Sequence, residues 1–205
     1  MKNFLVCVAL LASFYSVQGQ GKITLLTFES FTFADRFETY YGYGQIGDGF
    51  QWGGGLEFEI QPGSAMELIY QRQDANAYYD SYYNKREEGK IGINYIMLGA
   101  TGYKPFNDVV SGFGSFDVGA GFTSNAQNLD PSYVNVTKFA LGGRLGVSIA
   151  PNDKFSIRLH AQLLSPVQWF GGGFYFGSGG SGTTVTTGST IFQFNLGGSV
   201  NYRLK

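Results

Sequence analysis

The chain has 205 residues, 31 of them glycine, and combines 17% aromatic residues with only 14% charged residues. The aromatic content excludes a disordered chain, and the shortage of charged residues argues against a helical bundle or coiled coil. Lys and Arg number 14 against 15 Asp and Glu, a net charge of −1 that provides no basic stripe for a nucleic acid. A single all-β domain with many turns remains.

The N-terminal residues have the pattern of a secretory signal peptide. Lys2 gives a positive start, and Phe4 to Phe14 is an apolar run too short to span a membrane as a helix. Val17 and Gly19 have the spacing of a cleavage site. We therefore predict a signal peptide over residues 1–19; a buried N-terminal strand or helix is the alternative.

The remaining residues 20–205 form one predicted domain without cysteine, because Cys7 lies inside the signal segment. This excludes a disulfide scaffold, a thiol nucleophile and a cysteine zinc site from the domain. No later stretch approaches 18 consecutive apolar residues, so we expect no transmembrane helix.

Polar and apolar residues then alternate with the period of β-strands. The last strand is the clearest, and its length of about a dozen residues suits a tilted membrane-spanning strand, which needs about 9–11, better than a soluble strand of about 5–6. Leu25 and Leu26 interrupt the alternation of the first strand and leave its register open. We predict eight strands, within 22–33, 56–61, 66–71, 91–103, 109–122, 139–149, 155–163 and 189–205.

The connections between these strands alternate in length. Tight turns with proline are predicted at 61–64, 104–108 and 150–154. The long connections are Asp35–Gly49, Asp74–Gly89, Ser124–Val136 and Ser165–Gly188, and composition marks 171–188 as flexible. In an up-and-down barrel all long loops then share one end, which is typical of transmembrane β-barrels.

Alternation alone fits a soluble barrel with an apolar interior as well as a membrane barrel with an apolar outer wall. The strand lengths and the regular alternation of loops and turns favour the membrane barrel. Aromatic residues near strand ends also fit the interfacial girdles of such barrels. These residues are Tyr40, Tyr41, Tyr43, Tyr70, Tyr95, Tyr103, Tyr133, Tyr202, Trp52 and Trp169.

A final amphipathic strand with Phe192, Phe194 and Tyr202, together with the signal peptide, the eight strands and the three turns, resembles a known group. These are the small eight-stranded outer-membrane barrels of Gram-negative bacteria, which include the OmpA barrel, OmpX and the opacity proteins. Gly171–Phe176 and Leu196–Val200 are similar to segments of barrels in this group. Members usually end on an aromatic residue, whereas this chain ends on Lys205.

The resemblance implies an all-β, eight-stranded antiparallel up-and-down transmembrane β-barrel over residues 20–205, located in the cell outer membrane. The implied partners are outer-membrane lipid and lipopolysaccharide and the outer-membrane assembly machinery. We expect a monomer.

The polar faces of the strands carry charges of both signs. An eight-stranded barrel is just wide enough inside for side chains, so opposing charges would pair across it and plug the lumen. A gated proton or ion path is the alternative. The predicted polar lumen network consists of Glu57, Glu59, Glu67, Asp117, Arg144, Arg158, His160 and Arg203.

Catalytic and metal sites are not indicated. His160 is the only histidine, and it shares the lumen face with Ser156, Arg158 and Gln162, whereas a lipid substrate would meet the outer face. We expect a hydrogen-bonded interior histidine, no enzyme, no metal site and no cofactor. A lipid A or phospholipid-modifying enzyme remains an alternative, as does a soluble barrel that binds an apolar ligand.

The second long loop carries side chains suited to adhesion or surface contact. They are Tyr78, Tyr79, Tyr82, Tyr83, Lys85 and Arg86. We predict a structural, adhesive or surface-interaction role with an extracellular partner; simple solvated shielding is the alternative.

Overall fold

The computed structural model describes most of the predicted barrel domain. The described residues are 21–39, 42–82, 86–127, 137–167, 171–177, 180–186 and 192–204. The predicted signal peptide over residues 1–19 lies outside them and stays a prediction.

The described residues form twelve β-strands. They are β1 (Ile23–Thr32), β2 (Asp35–Thr39), β3 (Gly42–Ile46), β4 (Gly49–Gln61), β5 (Ser64–Ser81), β6 (Glu87–Pro105), β7 (Val110–Gln127), β8 (Thr137–Ile149), β9 (Phe155–Val167), β10 (Gly171–Gly177), β11 (Gly180–Thr186) and β12 (Gln193–Arg203). No helix among the described residues is long and apolar enough to cross a membrane.

Eight strands close into a barrel in the order β1, β4, β5, β6, β7, β8, β9 and β12. Every neighbouring pair is antiparallel, and β12 pairs with β1, from Thr24 opposite Arg203 to Thr32 opposite Asn195, to close the circle. The prediction of an eight-stranded antiparallel up-and-down barrel is confirmed. Because each barrel strand pairs on both sides, the barrel has no open edge.

The outer wall is apolar and the inside is polar. On β1 exposed and buried residues alternate strictly from Thr24 to Thr32. Large apolar side chains point outward on the other strands too, such as Leu145, which is 72% exposed, and Leu159, which is 59% exposed. Arg144 and Arg158, which lie between outward-facing residues on the same strands, are buried. This is the alternation of a membrane barrel, with lipid-facing and lumen-facing residues taking turns.

The three predicted turns join barrel strands at one end. Gly63 has a φ of 83°, the left-handed region that glycine adopts without steric cost. In the other two turns an asparagine side chain accepts backbone N–H groups: Asn107 Oδ1 from Val109 and Val110, and Asn152 Oδ1 from Lys154 and Phe155. Both asparagines act as local caps in place of a backbone partner.

The long connections contain more strand than predicted. β2 and β3 form a hairpin, and β3 pairs with the last residues of β5, from Gly42 opposite Ser81 to Ile46 opposite Ala77. β5 and β6 themselves continue pairing beyond the barrel as far as Tyr79 and Glu87. The prediction of loops over Asp35–Gly49 and Asp74–Gly89 is therefore wrong in part. Ile46 on β3 is buried, but its neighbours Gly42, Gly44 and Gln45 leave too few alternating apolar residues to give a period-two pattern.

The segment predicted to be flexible from its composition also contains a hairpin. β10 and β11 pair over their whole length, from Gly171 opposite Thr186 to Gly177 opposite Gly180. The predicted flexibility of 171–188 stays a prediction. Composition does not predict this pairing, because backbone N–H and C=O groups pair between strands whatever the side chains are.

Tyrosine positions separate into outer-wall and lumen groups. Trp52 and Tyr70 lie on the outer wall with ring centroids 6.2 Å apart, and Tyr202 lies there against Phe155 at 4.9 Å. Tyr95 and Tyr103 instead point into the lumen, because they alternate with outward Ile96, Leu98 and Ala100 on β6. The prediction that these two tyrosines belong to a girdle is wrong. Tyr40, Tyr41, Tyr133 and Trp169 lie outside the described residues.

Candidate functional site

Five charged side chains meet inside the barrel, in the half nearer the tight turns. Glu57 on β4 and Glu67 on β5 are directly opposite in the strand register. Asp117 on β7, Arg144 on β8 and Arg158 on β9 complete a group that we call the charged tier. Each residue alternates with outward apolar neighbours, so the burial pattern of its strand directs it inward.

Glu67 is the centre of the charged tier. It forms ion pairs with Arg144 and with Arg158, whose Nη1 lies 2.9 Å from Glu67 Oε1. Arg144 also binds Asp117 through Nε and Nη2, at 3.2 Å and 3.0 Å, and Arg158 Nη2 lies 2.6 Å from Glu57 Oε2. The side chains of Glu67, Arg144 and Asp117 are at most 1% exposed. The pairs that involve Glu57 and Glu67 join opposite walls of the barrel, because β8 and β9 lie across the lumen from β4 and β5, whereas Asp117 is on β7 next to β8.

Aromatic rings cover the two guanidinium groups. The Arg144 guanidinium carbon lies 5.2 Å from the centroid of the Phe28 ring, and that of Arg158 lies 5.2 Å from Tyr103 and 5.4 Å from Phe113. The Tyr103 hydroxyl also donates to Glu57. Cation–π contacts gain strength when water is excluded, so these rings supplement the ion pairs.

Two glycines make room for the charged tier. A Cβ on Gly99 would meet the Asp117 carboxylate and lie 3.6 Å from Arg144 Nη2. A Cβ on Gly142 would lie 3.0 Å from Leu164 Cδ2 and 3.3 Å from Asp117 Cβ. Both positions need glycine because of close approach, not because of an unusual backbone conformation.

Three members of the predicted lumen network lie apart from the charged tier. Glu59 stands near the turn end of β4 and pairs with Lys22 at 3.6 Å, with 29% of its side chain exposed. Arg203 ends β12 half-buried, and its Nε has no hydrogen-bond partner among the described residues.

His160 is also in the lumen, 5% exposed, but it is not part of the ion-pair network. Its ring packs edge-on against Phe28, with centroids 6.2 Å apart. Nε2 has no hydrogen-bond partner within the described part of the chain. The expected hydrogen-bonded histidine is therefore not observed at this nitrogen.

A second polar group, of which the sequence analysis placed only Gln162 in the lumen, fills the half of the lumen nearer the loops. We call it the amide tier; it consists of Gln51, Gln71, Gln73, Gln162, Gln193 and Asn195. All six side chains are at most 2% exposed. The signal was present in the sequence for Gln51, Gln162, Gln193 and Asn195, which alternate with outward apolar or aromatic neighbours as the charged residues do, whereas Gln71 and Gln73 flank outward Arg72.

Amide hydrogen bonds bridge the lumen in this tier. Gln71 and Gln162, on opposite walls, donate to each other at 3.3 Å and 3.0 Å. Gln193 Nε2 donates to Gln73 Oε1 at 2.9 Å, and Gln193 Oε1 accepts from the Tyr95 hydroxyl at 2.5 Å. The side-chain amide of Gln51 has no partner among the described residues. Both halves of the lumen are thus crossed by side-chain contacts.

Beyond the apolar wall, at the loop end, a polar surface covers the outward face of β2, β3, β5 and β6. We call it the loop-end surface; it comprises Arg36, Gln45, Asn76, Tyr78, Arg86, Glu88 and Lys90. Gln45 Oε1 accepts from Tyr78 Oη at 3.2 Å and from Arg36 Nε at 3.4 Å. The Arg86 guanidinium lies 4.1 Å from the Tyr78 ring centroid and binds Glu88 at 2.7 Å.

A shallow cavity of about 450 Å³ lies within the loop-end surface. Its lining includes Gln45, Asn76, Tyr78 and Lys90, so it presents amide, phenol and ammonium groups together. These groups can hydrogen-bond a polar ligand.

Tyr43 lies on the same hairpin as Gln45 and donates to Asp80 Oδ2 at 2.9 Å. This hydrogen bond and the negative charge of Asp80 raise the pKa of Tyr43 above its ordinary value.

The predicted contact residues of the second long loop are only partly described. Tyr78 and Arg86 belong to the loop-end surface, and Tyr82 is 65% exposed. Tyr83, Lys85 and the side chain of Tyr79 lie outside the described residues. Within the described ranges, no three His, Cys, Asp or Glu side chains are grouped so that they could hold a metal ion.

Solved outer-membrane barrels have the same fold as this chain. Neisserial surface protein A aligns with a TM-score of 0.55 at 13% identity, covering 91% of this chain and 98% of that protein. OprG from Pseudomonas aeruginosa aligns at 0.52 and 9% identity, covering 89% and 94%, and AlkL, determined in lipid bilayers, at 0.52 and 11%, covering 91% and 92%. No protein-family model matches the sequence, and a search of curated proteins gives no match. At these identities the likeness concerns the fold, which is that of the small eight-stranded outer-membrane β-barrels, as predicted.

Proposed function

We propose that this protein is an outer-membrane β-barrel with a closed lumen that presents its loop-end surface to partners outside the cell. The apolar outer wall supports the membrane location, because a continuous apolar band around a barrel is costly in water and suits lipid. In that setting outer-membrane lipid and lipopolysaccharide surround the wall, and insertion depends on the outer-membrane assembly machinery.

The observation that carries the closed lumen is the double ion pair of Glu67. Arg144 and Arg158 reach this carboxylate from the far side of the lumen, and its side chain has 0% exposure. A continuous water path would have to separate these pairs, which are costly to break once buried. The amide tier supports the proposal because it bridges the lumen a second time.

Single-channel recording in a planar bilayer tests closure. The purified barrel is expected to show no open steps, and Lys22→Gln, at the rim, serves as a control that leaves the charged tier intact. Open steps from the wild-type barrel that vanish in Glu57→Gln or Arg158→Gln would favour the gated path instead.

The surface role is supported by the loop-end surface and its cavity. Tyr78, Gln45 and Lys90 offer donors and acceptors to one ligand, and the neighbouring charges have both signs. Hydroxyl-rich saccharides suit this chemistry, because they make many neutral hydrogen bonds and do not require an excess of one charge.

Binding of barrel-containing vesicles to dextran beads and to dextran sulfate beads tests this role. Retention above that of protein-free vesicles is expected, with a several-fold loss in Tyr78→Ala and Gln45→Ala. Lys104→Ala, at the turn end, is the matched control. Retention no better than that of empty vesicles on both beads would leave solvated shielding as the role of these strands.

We propose a non-catalytic role. His160 packs against Phe28 inside the lumen, whereas a lipid substrate would approach the outer wall. Mass spectrometry of lipid A and phospholipids from cells that express the protein is expected to show no shift. A shift that disappears in His160→Gln would contradict the proposal.

A further inference from the structure

One carboxylate lies on the apolar outer wall. Glu29 on β1 is exposed between outward-facing Thr27 and Phe31, and it stands opposite Gly198 of β12 and Trp52 of β4. It makes no hydrogen bond or ion pair with any described residue. The sequence left the register of this strand open, and the structure places Glu29 on the lipid side.

Apart from Thr27, its outward neighbour toward the turn end, the side chains along β1 and β12 near Glu29 are apolar. Leu25 lies toward the turn end, and Phe31 and Phe33 lie toward the loop end, all three between 43% and 46% exposed. Leu196 and Val200 flank Gly198 on the neighbouring strand and are 46% and 56% exposed. The carboxyl is therefore two rows of apolar side chains away from the loop-side edge of the wall.

An ionisable group at this depth is costly when it faces hydrocarbon alone. Ionisable residues inside membranes normally pair with one another or with backbone carbonyls, and they mark interaction sites. Thr27, the neighbouring polar residue on this face, shows the usual solution: its hydroxyl donates to the Val200 carbonyl at 2.9 Å. Glu29 has no such partner among the described residues.

We propose that the wall around Glu29 binds a second copy of this chain in the membrane, with the two Glu29 carboxyls hydrogen-bonded to each other. This inference rests on the membrane location proposed above, and it replaces the expectation of a monomer. A two-fold axis along the membrane normal relates each residue to the same residue of the other copy at equal depth. When this axis passes beside Glu29, it brings the two Glu29 carboxyls together. Two carboxyls that share a proton form a strong O–H···O bond, and no other residue of the chain needs to change its partner.

The shape of the wall beside Glu29 also suits a close contact. Gly198 lies directly opposite it, and Gly54 is outward on β4, opposite Thr27. Neither has a side chain, so the backbones of two barrels can approach at this level. Small residues beside a polar group are the usual composition of contacts between membrane-spanning segments.

Cysteine cross-linking in lipid vesicles tests the arrangement, in a Cys7→Ser background so that the introduced cysteine is the only one. Phe31→Cys, next to Glu29, is expected to form a disulfide dimer under mild oxidation. Phe116→Cys, exposed on β7 at the opposite side of the barrel, is the matched control and is expected to stay monomeric. Equal cross-linking of the two variants would overturn the proposal.

Energy transfer between labelled copies at increasing lipid dilution tests the carboxyl itself. Glu29→Leu is expected to weaken association by about 3- to 30-fold, the range of one hydrogen bond in a membrane. Glu29→Gln is expected to keep it, because two amides can both donate and accept. Association of the Leu variant equal to that of wild type would overturn the proposal.

Heat-modifiable migration on a gel shows in each case that the variant has folded. A wild-type barrel that does not insert into vesicles contradicts the proposed function, whereas a barrel that inserts but stays monomeric contradicts only this inference.

Discussion

The charged tier and the amide tier fill the two halves of one lumen with different chemistry. In the charged tier, two arginines hold three carboxylates, and each contact is an ion pair between groups that are almost fully buried. In the amide tier, neutral side chains bridge the same distance through hydrogen bonds such as that between Gln71 and Gln162. Both tiers close the lumen, but they differ in the cost of losing a partner.

That cost decides how each tier tolerates change. A buried charge that loses its partner retains its full desolvation penalty, so the members of the charged tier depend on one another. A buried amide that loses its partner costs less, and replacing both partners by apolar groups can be nearly neutral. We therefore expect the half near the turns to be the rigid part of the barrel interior and the half near the loops to be the part open to substitution.

The largest expected effect comes from Glu67→Gln. This change leaves Arg144 and Arg158 facing one carboxylate fewer, and we expect a loss of about 3–5 kcal/mol in the free energy of unfolding. Urea unfolding in vesicles, followed by heat-modifiable migration, measures it. Glu59→Gln, whose partner Lys22 is half exposed, is the control and should cost less than about 1 kcal/mol. Equal losses of stability in the two variants would show that the buried ion pairs of the charged tier contribute no more than the exposed pair at the rim.

The next largest effect on stability is expected from a substitution that adds volume inside the charged tier without changing its charge. Gly99→Ala places a methyl group against the Asp117 carboxylate, and we expect a loss of about 1–3 kcal/mol from overpacking. Gly102→Ala on the same strand is the matched control, because its Cβ would have no heavy atom of the described structure within 4 Å. Urea unfolding in vesicles measures this loss as well. A Gly99→Ala variant as stable as wild type would show that the ion pairs of Asp117 and Arg144 tolerate displacement.

The amide tier should respond less and should recover when both partners change. Gln71→Leu leaves Gln162 without its reciprocal partner, at a cost of about 1–2 kcal/mol. The double variant Gln71→Leu with Gln162→Leu should recover part of this loss, because the reciprocal pair is removed together and only the long hydrogen bond from Asn195 Nδ2 to Gln162 Oε1, at 3.4 Å, is lost. A double variant that is as unstable as the sum of both single changes would show that the amides resemble the charged tier.

The smallest effect concerns the loop end, where water reaches the polar groups. The Asp80 hydrogen bond raises the pKa of Tyr43, so the folded state favours the protonated phenol. This contribution to stability is present below the ordinary pKa of tyrosine and is lost as pH rises through the raised value. Asp80→Asn should shift the ultraviolet titration of Tyr43 to lower pH, with Tyr43→Phe identifying its signal. Asp74→Asn, on the same strand but bound to Arg72, should leave that titration unchanged.

Individual residues show which features can be predicted from the sequence and which cannot. The burial of Glu57, Glu67 and Arg158 follows from strict alternation in their strands, which fixes the face of each residue once one face is known to meet lipid. Tyr95 and Tyr103 were assigned to the girdle from their place near strand ends, although their alternation points inward. Tyrosine suits both sites, because it has an apolar ring and a polar hydroxyl. The hairpins of the long connections were missed because glycine and polar residues interrupt the alternation of their few apolar residues, such as Ile46 on β3.

The sequence by itself determined the number of barrel strands, the three tight turns and the alternation of an apolar wall with a polar interior. These features depend on local patterns and on residues with fixed backbone preferences. Only the tertiary structure decided which carboxylate meets which arginine, since the partners of Arg144 and Arg158 lie up to 101 residues away in the chain. It also placed Glu29 on the outer wall. Both depend on the register between strands, which closure of the whole barrel sets and no single strand encodes.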